Sequence, residues 1–110
     1  MPQPKAVVVL VTCPDRLVAG RIARHLVSRR LAACVNIIAG VRSLFWWQGK
    51  VQACSEVLLI IKTQRSLFRR LKAAVKSKHP YETPEIITLR IDAGDPKYMD
   101  WIRQAVSFKT

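Results

Sequence analysis

Twenty-two consecutive residues, Val41 to Lys62, carry the pattern of a long β-hairpin: VRSLFWWQGKVQACSEVLLIIK. The left arm is β-branched and aromatic and the right arm is a Val/Leu/Ile run, both of which favour strands. Gln48-Gly49 is the one turn signal between them, and Gly accepts the positive φ that a two-residue hairpin loop requires. That turn predicts a register pairing Trp47 with Lys50, Trp46 with Val51, Phe45 with Gln52 and Leu44 with Ala53. Side chains then divide by parity. Leu44, Trp46, Val51, Ala53, Val57, Leu59 and Ile61 share one face. Phe45, Trp47, Cys54, Glu56, Leu58, Ile60 and Lys62 share the other.

Geometry makes this hairpin too long for its own domain. A strand from Val51 to Thr63 spans roughly 40 Å at ~3.3 Å per residue, whereas a fifteen-residue helix covers about 22 Å. The tip carries Phe45, Trp46 and Trp47, each able to bury on the order of 150–250 Å². An uncovered arm of that kind is an association surface, so the three aromatics are expected at an interface of an obligate oligomer. Residues 1–110 read as one domain with a modest core.

The flanking segments supply the remaining elements. Ala6 to Val11 is a continuous apolar strand, the mark of burial on both faces, and Thr12-Cys13-Pro14-Asp15 is expected to break it. Asp15 N-caps a helix running to about Arg30, with Val18, Ile22 and Leu26 inward. Leu31 to Ile38 leads into a second strand, interrupted at Ala39-Gly40 by a bulge. A second helix is expected from about Ser66 to Lys78, ending before Pro80. His79 to Glu85 is an extended connection and Ile86 to Ile91 the fourth strand. Asp95-Pro96 opens a last helix, Lys97 to about Val106, presenting Tyr98, Trp101, Ile102 and Ala105 on one face. The order is strand, helix, strand, strand, helix, strand, helix: an α+β chain with the ferredoxin-like βαββαβ pattern, a long hairpin and a C-terminal helix. Two helices cover one sheet face. The other face needs a second subunit.

Three cysteines form no C-x-x-C, and no apolar run reaches the ~20 residues of a membrane span. The chain therefore reads as cytoplasmic, with unpaired thiols and no membrane partner. Its net charge of +12 is read as a solvated surface that keeps oligomers apart. No clustered Arg/aromatic motif is present, and a nucleic-acid partner is not expected. There is no Ser/His/Asp arrangement, P-loop or close carboxylate pair, so no enzyme is indicated.

Cys34-Val35-Asn36-Ile37-Ile38, Trp46-Trp47-Gln48-Gly49-Lys50, Glu56 to Thr63 and His79 to Ile87 closely resemble the CutA family of divalent-cation tolerance proteins, and the resemblance runs from about Val7 to Trp101. It implies a ferredoxin-like homotrimer similar to PII signalling proteins, with hairpins packed between subunits. It also implies a link to copper and other divalent cations, and no established reaction. Copper-binding relatives carry a Cys before the Thr of the first turn and a His-His pair before Pro-Tyr. Here those positions hold Val11, Lys78 and His79. Cys34 matches a cysteine found in many relatives, and thiolate with imidazole suits copper or zinc. His79 and Cys34 are thus the metal candidates, for weak binding of Cu(2+) or another divalent cation. Read without the resemblance, His79 is a helix-terminal imidazole against the last carbonyls, and the cysteines are small buried hydrophobes. A ligand cleft between subunits is expected from Trp47, Glu56, Lys62, Tyr81, Glu82 and Tyr98. Glu56 and Lys62 stand about 20 Å apart along one strand face at ~3.3 Å per residue, so each needs another partner.

Overall fold

The computed structural model describes residues 5–107. Strands β1 (Ala6–Cys13), β2 (Cys34–Trp47), β3 (Lys50–Gln64) and β4 (Ile86–Arg90) alternate with helices α1 (Arg16–Ser28), α2 (Phe68–Lys78) and α3 (Pro96–Ala105). The sheet order is β2-β3-β1-β4, antiparallel throughout. This is the ferredoxin-like arrangement that the element order predicted. Boundaries shift by a residue or two: β1 does not break at Thr12 but continues to Cys13, held by the Thr12–Leu58 and Cys13–Val57 pairs with β3, and β4 ends at Arg90 rather than Ile91. A 3-10 turn, Arg65–Leu67, precedes α2, which starts two residues later than expected.

The hairpin has the predicted register, with Trp47 opposite Lys50, Trp46 opposite Val51, Phe45 opposite Gln52 and Leu44 opposite Ala53. Gln48 and Gly49 both have positive φ, 51° and 75°, as a type I′ turn requires. Ladder irregularity falls between Ile38 and Val41, where Gly40 sits at φ 80°. That bulge lets the long second strand bend and carry the arm outward. The described part of the chain measures 46 × 29 × 22 Å.

One sheet face is packed. Val7, Val9, Val11 and Cys13 of β1 and Val57, Leu59 and Ile61 of β3 form the core with Ile22 and Leu26 of α1 and Leu71 and Val75 of α2. The same parity class runs on past the helices as Ala53, Val51, Trp46 and Leu44, all exposed. The opposite face is covered only at one end. There α3 contacts β3 and β1, with Ile102 and Val106 buried. Tyr98 and Trp101 do not join Ile102 inside, as the helical stripe suggested. They stand half exposed and stack with ring centroids 5.6 Å apart. Ile38, Ile87 and Leu89 on that face remain open, and Leu10, Leu58 and Ile60 half-buried.

The helix ends are closed by local chemistry. Asp15 accepts a hydrogen bond from the Val18 backbone N–H at 2.9 Å, and Asp95 accepts from that of Tyr98 at 3.1 Å. After α1, Arg30 N–H donates to the Val27 carbonyl at 3.0 Å and Leu31 N–H to that of Leu26 at 2.9 Å. This is a Schellman motif, with Arg30 at φ 56° where Gly is the unstrained residue. Arg30 also donates from its guanidinium to the Ala105 carbonyl at 2.9 Å, tying the end of α1 to α3. Both Arg30→Gly and Arg30→Ala lose that bond, but only Gly relieves the left-handed backbone. Equilibrium unfolding should therefore find the Gly variant more stable than the Ala variant by about 1 kcal/mol.

Candidate functional site

A groove of about 1010 Å³ lies between the outer half of the hairpin and residues Tyr81 to Glu85. Its walls include Arg42, Phe45, Trp47, Gln52 and Cys54 from the arm and Glu56, Tyr81, Glu82 and Glu85 from its inner end. The extended His79-Pro80 connection turns the chain back against β3 here. The Tyr81 hydroxyl donates to Glu56 Oε2 at 2.9 Å. Glu56 is 8% exposed, so this bond keeps a buried carboxylate partnered. Burial raises the Tyr81 hydroxyl pKa, and Glu56 raises it further by hydrogen bond and charge. Burial and then Glu56 raise both neighbouring thiols, Cys13 to about 11 and Cys54 in the same direction. Both are therefore thiols, not thiolates, at neutral pH.

His79 caps α2, but its ring does not bind the helix's own last carbonyls. Nε2 lies 2.8 Å from the Thr12 carbonyl oxygen, and the Tyr81 backbone N–H donates to Nδ1 at 3.1 Å. A carbonyl only accepts, so Nε2 carries the proton and Nδ1 is bare. The imidazole thereby pins the end of β1 to the start of the 81–85 segment and orients the Tyr81 ring, 4.7 Å away. Both ring nitrogens are occupied.

The remaining candidates lie elsewhere in the chain. Cys34 pairs with Lys62 and Thr12 with Leu58, so Cys34 and the His79 contact are four β3 residues apart, about 13 Å at ~3.3 Å per residue. Cys34 instead neighbours Asn36, which also accepts from the Lys62 ammonium. Tyr98 belongs to that end as well, its hydroxyl pKa raised by burial and by Cys34. Of the predicted cleft, one chain thus gathers Trp47, Glu56, Tyr81 and Glu82 in the groove. Lys62 and Tyr98 stand at the opposite end of the sheet. Among the described residues no group of three His, Cys, Asp or Glu side chains is placed to hold a metal ion. The donor set does not fit a preformed metal centre within one chain: the imidazole is engaged and the Cys34 thiol is remote. Arg42, Cys54 and Glu85 line the groove without having been singled out from the sequence. For Cys54 the parity it shares with Glu56 was the available signal.

An antiparallel ferredoxin-like sheet with an overlong β2–β3 arm and a groove at its base defines a class of α+β proteins. The family model for the CutA1 divalent ion tolerance protein matches residues 7–105, and the chain belongs to that family. The rice protein CutA 1, chloroplastic, is 46% identical over 100 residues, 91% of this chain and 56% of the relative. Mouse protein CutA is 50% identical over 94 residues, 86% of this chain and 53% of the relative. The chain thus spans about half the length of these two. A solved divalent cation tolerance protein from Thermus thermophilus superposes with a TM-score of 0.89 at 48% identity, over 91% of this chain and 97% of that one.

Proposed function

We propose that the chain acts in divalent-cation tolerance as a homotrimer, taking a cation or small ligand in grooves that neighbouring subunits complete. The observation that carries this reading is the groove itself. In a chain of net charge +12, it is lined by Glu56, Glu82 and Glu85, with Glu56 fixed by Tyr81. Carboxylates concentrated in a basic protein favour a positively charged occupant. The groove's open side is the aromatic arm, whose exposed side chains support closure by another subunit. Such closure is also a route by which Lys62 and Tyr98 of one subunit reach the Glu56 end of the next. Free Cys13, Cys34 and Cys54 support a reducing compartment, the cytosol. No helix among the described residues is long and apolar enough to cross a membrane.

Metal binding on this reading is weak and does not hold the fold together, because Lys78 adjoins His79 and the imidazole is already bonded. Calorimetry with Cu(2+) and Zn(2+), beside native mass spectrometry, tests it on the parent, Glu56→Gln, His79→Ala and Cys34→Ser. Heat lost in Glu56→Gln alone supports the groove. Loss in His79→Ala alone moves the site to the imidazole, and loss in Cys34→Ser alone to the thiol. An assembly that retains neither ion nor metabolite favours the second reading, a structural or signalling trimer acting through protein partners. The half-exposed Tyr98–Trp101 pair supports a partner surface of that kind.

A further inference from the structure

Positive charge in this molecule is sorted by layer. Five arginines fall between residues 16 and 30, and six arginines or lysines between 65 and 78. Every one of the eleven is exposed. From Arg16 to Lys78 the single acidic residue is Glu56, which is buried on the other side of the sheet against Tyr81. Asp15 is occupied as the N-cap of α1. The other carboxylates belong to the 82–85 segment and the 92–100 region.

Packing then joins the two basic helices into one surface. α1 and α2 contact each other on the same sheet face, and their apolar stripes are buried in the core. Their charged residues point out. None of their Arg or Lys side chains makes a salt bridge among the described residues; the one ion pair found there is Arg103–Asp100 in α3. Fields from the two helices overlap. His25 of α1 is held below its ordinary pKa by burial, then by Lys78 of α2 and Arg29 of its own helix.

We propose that the outer α1–α2 surface docks the phosphate backbone of a nucleic-acid duplex. Dimensions and chemistry both favour it. α1 is 13 residues long, about 20 Å at 1.5 Å per residue, and a duplex presents one charge per ~1.7 Å of axis, about 12 charges in that length. Eight of the eleven cations are Arg, whose planar fork pairs with phosphate oxygens. A membrane surface is the weaker fit, because an interfacial helix inserts its apolar face and here that face is in the core. Exposed Leu17 and Val27 are about 15 Å apart along α1 at 1.5 Å per residue, too separated to form an inserting face. The sequence did not disclose this surface, because its two halves lie on either side of the hairpin.

The test is fluorescence anisotropy of a labelled 20-base-pair DNA duplex titrated with the whole chain. Neutralising four to five phosphates implies an affinity loss of roughly 150- to 500-fold between 50 and 200 mM salt. Arg21→Glu/Arg24→Glu/Arg69→Glu/Lys76→Glu should abolish binding. A control with the same charge change away from α1 and α2, Lys5→Glu/Arg90→Glu/Lys97→Glu/Arg103→Glu, should retain most of it. The corresponding Gln variants serve where the Glu set fails to fold, judged by circular dichroism. Equal loss in both sets would overturn the proposal in favour of unlocalised charge. So would absence of duplex binding at 50 mM salt, or binding to phosphatidylserine vesicles without binding to the duplex.

Discussion

Alanine at Trp46 and Trp47 together is expected to break the assembly while leaving each subunit's helices folded. The two indoles sit at the hairpin tip, 75% and 50% exposed in the single chain. They lie on opposite faces of the arm, because adjacent strand residues alternate. Leu44 and Val51 extend the apolar surface on the Trp46 side, and Phe45 on the Trp47 side. If this arm stood in water, removing the indoles would move stability by no more than about 0.5 kcal/mol. If neighbouring subunits enclose it, each loss costs about 3–5 kcal/mol, since a large aromatic leaves transfer energy and a cavity behind. The two hypotheses therefore differ roughly tenfold in predicted effect. Sedimentation at micromolar concentration should show the parent near three subunits and the double variant smaller, with the helical circular dichroism retained. A double variant with unchanged size and unfolding temperature would mean that the arm takes no part in assembly.

The hairpin was legible because its signals are local. A β-branched and aromatic left arm, a Val/Leu/Ile right arm and one Gly mark two strands and a turn, and these determine parity and register without any tertiary information. Element order followed from the same kind of signal, including the Asp15 and Asp95 caps. The groove was legible only in part. Trp47 and Glu56 share a face by parity, but the Tyr81–Glu56 bond joins residues 25 apart and depends on how the 81–85 segment folds back. His79 binds Thr12 across 67 residues, so helix position alone pointed to the wrong carbonyl. Lys62 lies on the same strand face as Glu56 but at the far end, and parity carries no information on which partner each charge finds. Ile102 was correctly placed inward. Tyr98 and Trp101 were not, because α3 is short and covers only one end of that sheet face, with both rings left half exposed.

Raising the pH from 9 to 11 is expected to destabilise the fold by about 2 kcal/mol through Cys13 alone. Its side chain is fully buried at the end of β1, and no disulfide engages it. Burial first, then the charges of Glu56 and Asp15, raise its pKa from 9.0 to about 11. The unfolded chain releases this proton near pH 9 and the folded chain does not. Between the two values the native state binds more protons than the unfolded state, so stability falls as pH rises. The thiol's contribution is complete well below pH 9 and fully lost only above pH 11; of two units at ~1.36 kcal/mol each, about 2 kcal/mol falls between pH 9 and 11. Tyr81 acts in the same sense, since its hydroxyl is also raised by burial and by Glu56. Equilibrium unfolding in reducing buffer at fixed protein concentration, from pH 8 to 11, should show a steeper decline for the parent than for Cys13→Ala. The comparison is made between slopes, since the alanine variant loses some packing at every pH. Parallel slopes would mean that Cys13 ionises as readily folded as unfolded, and would contradict its enclosure beneath the Glu56 groove.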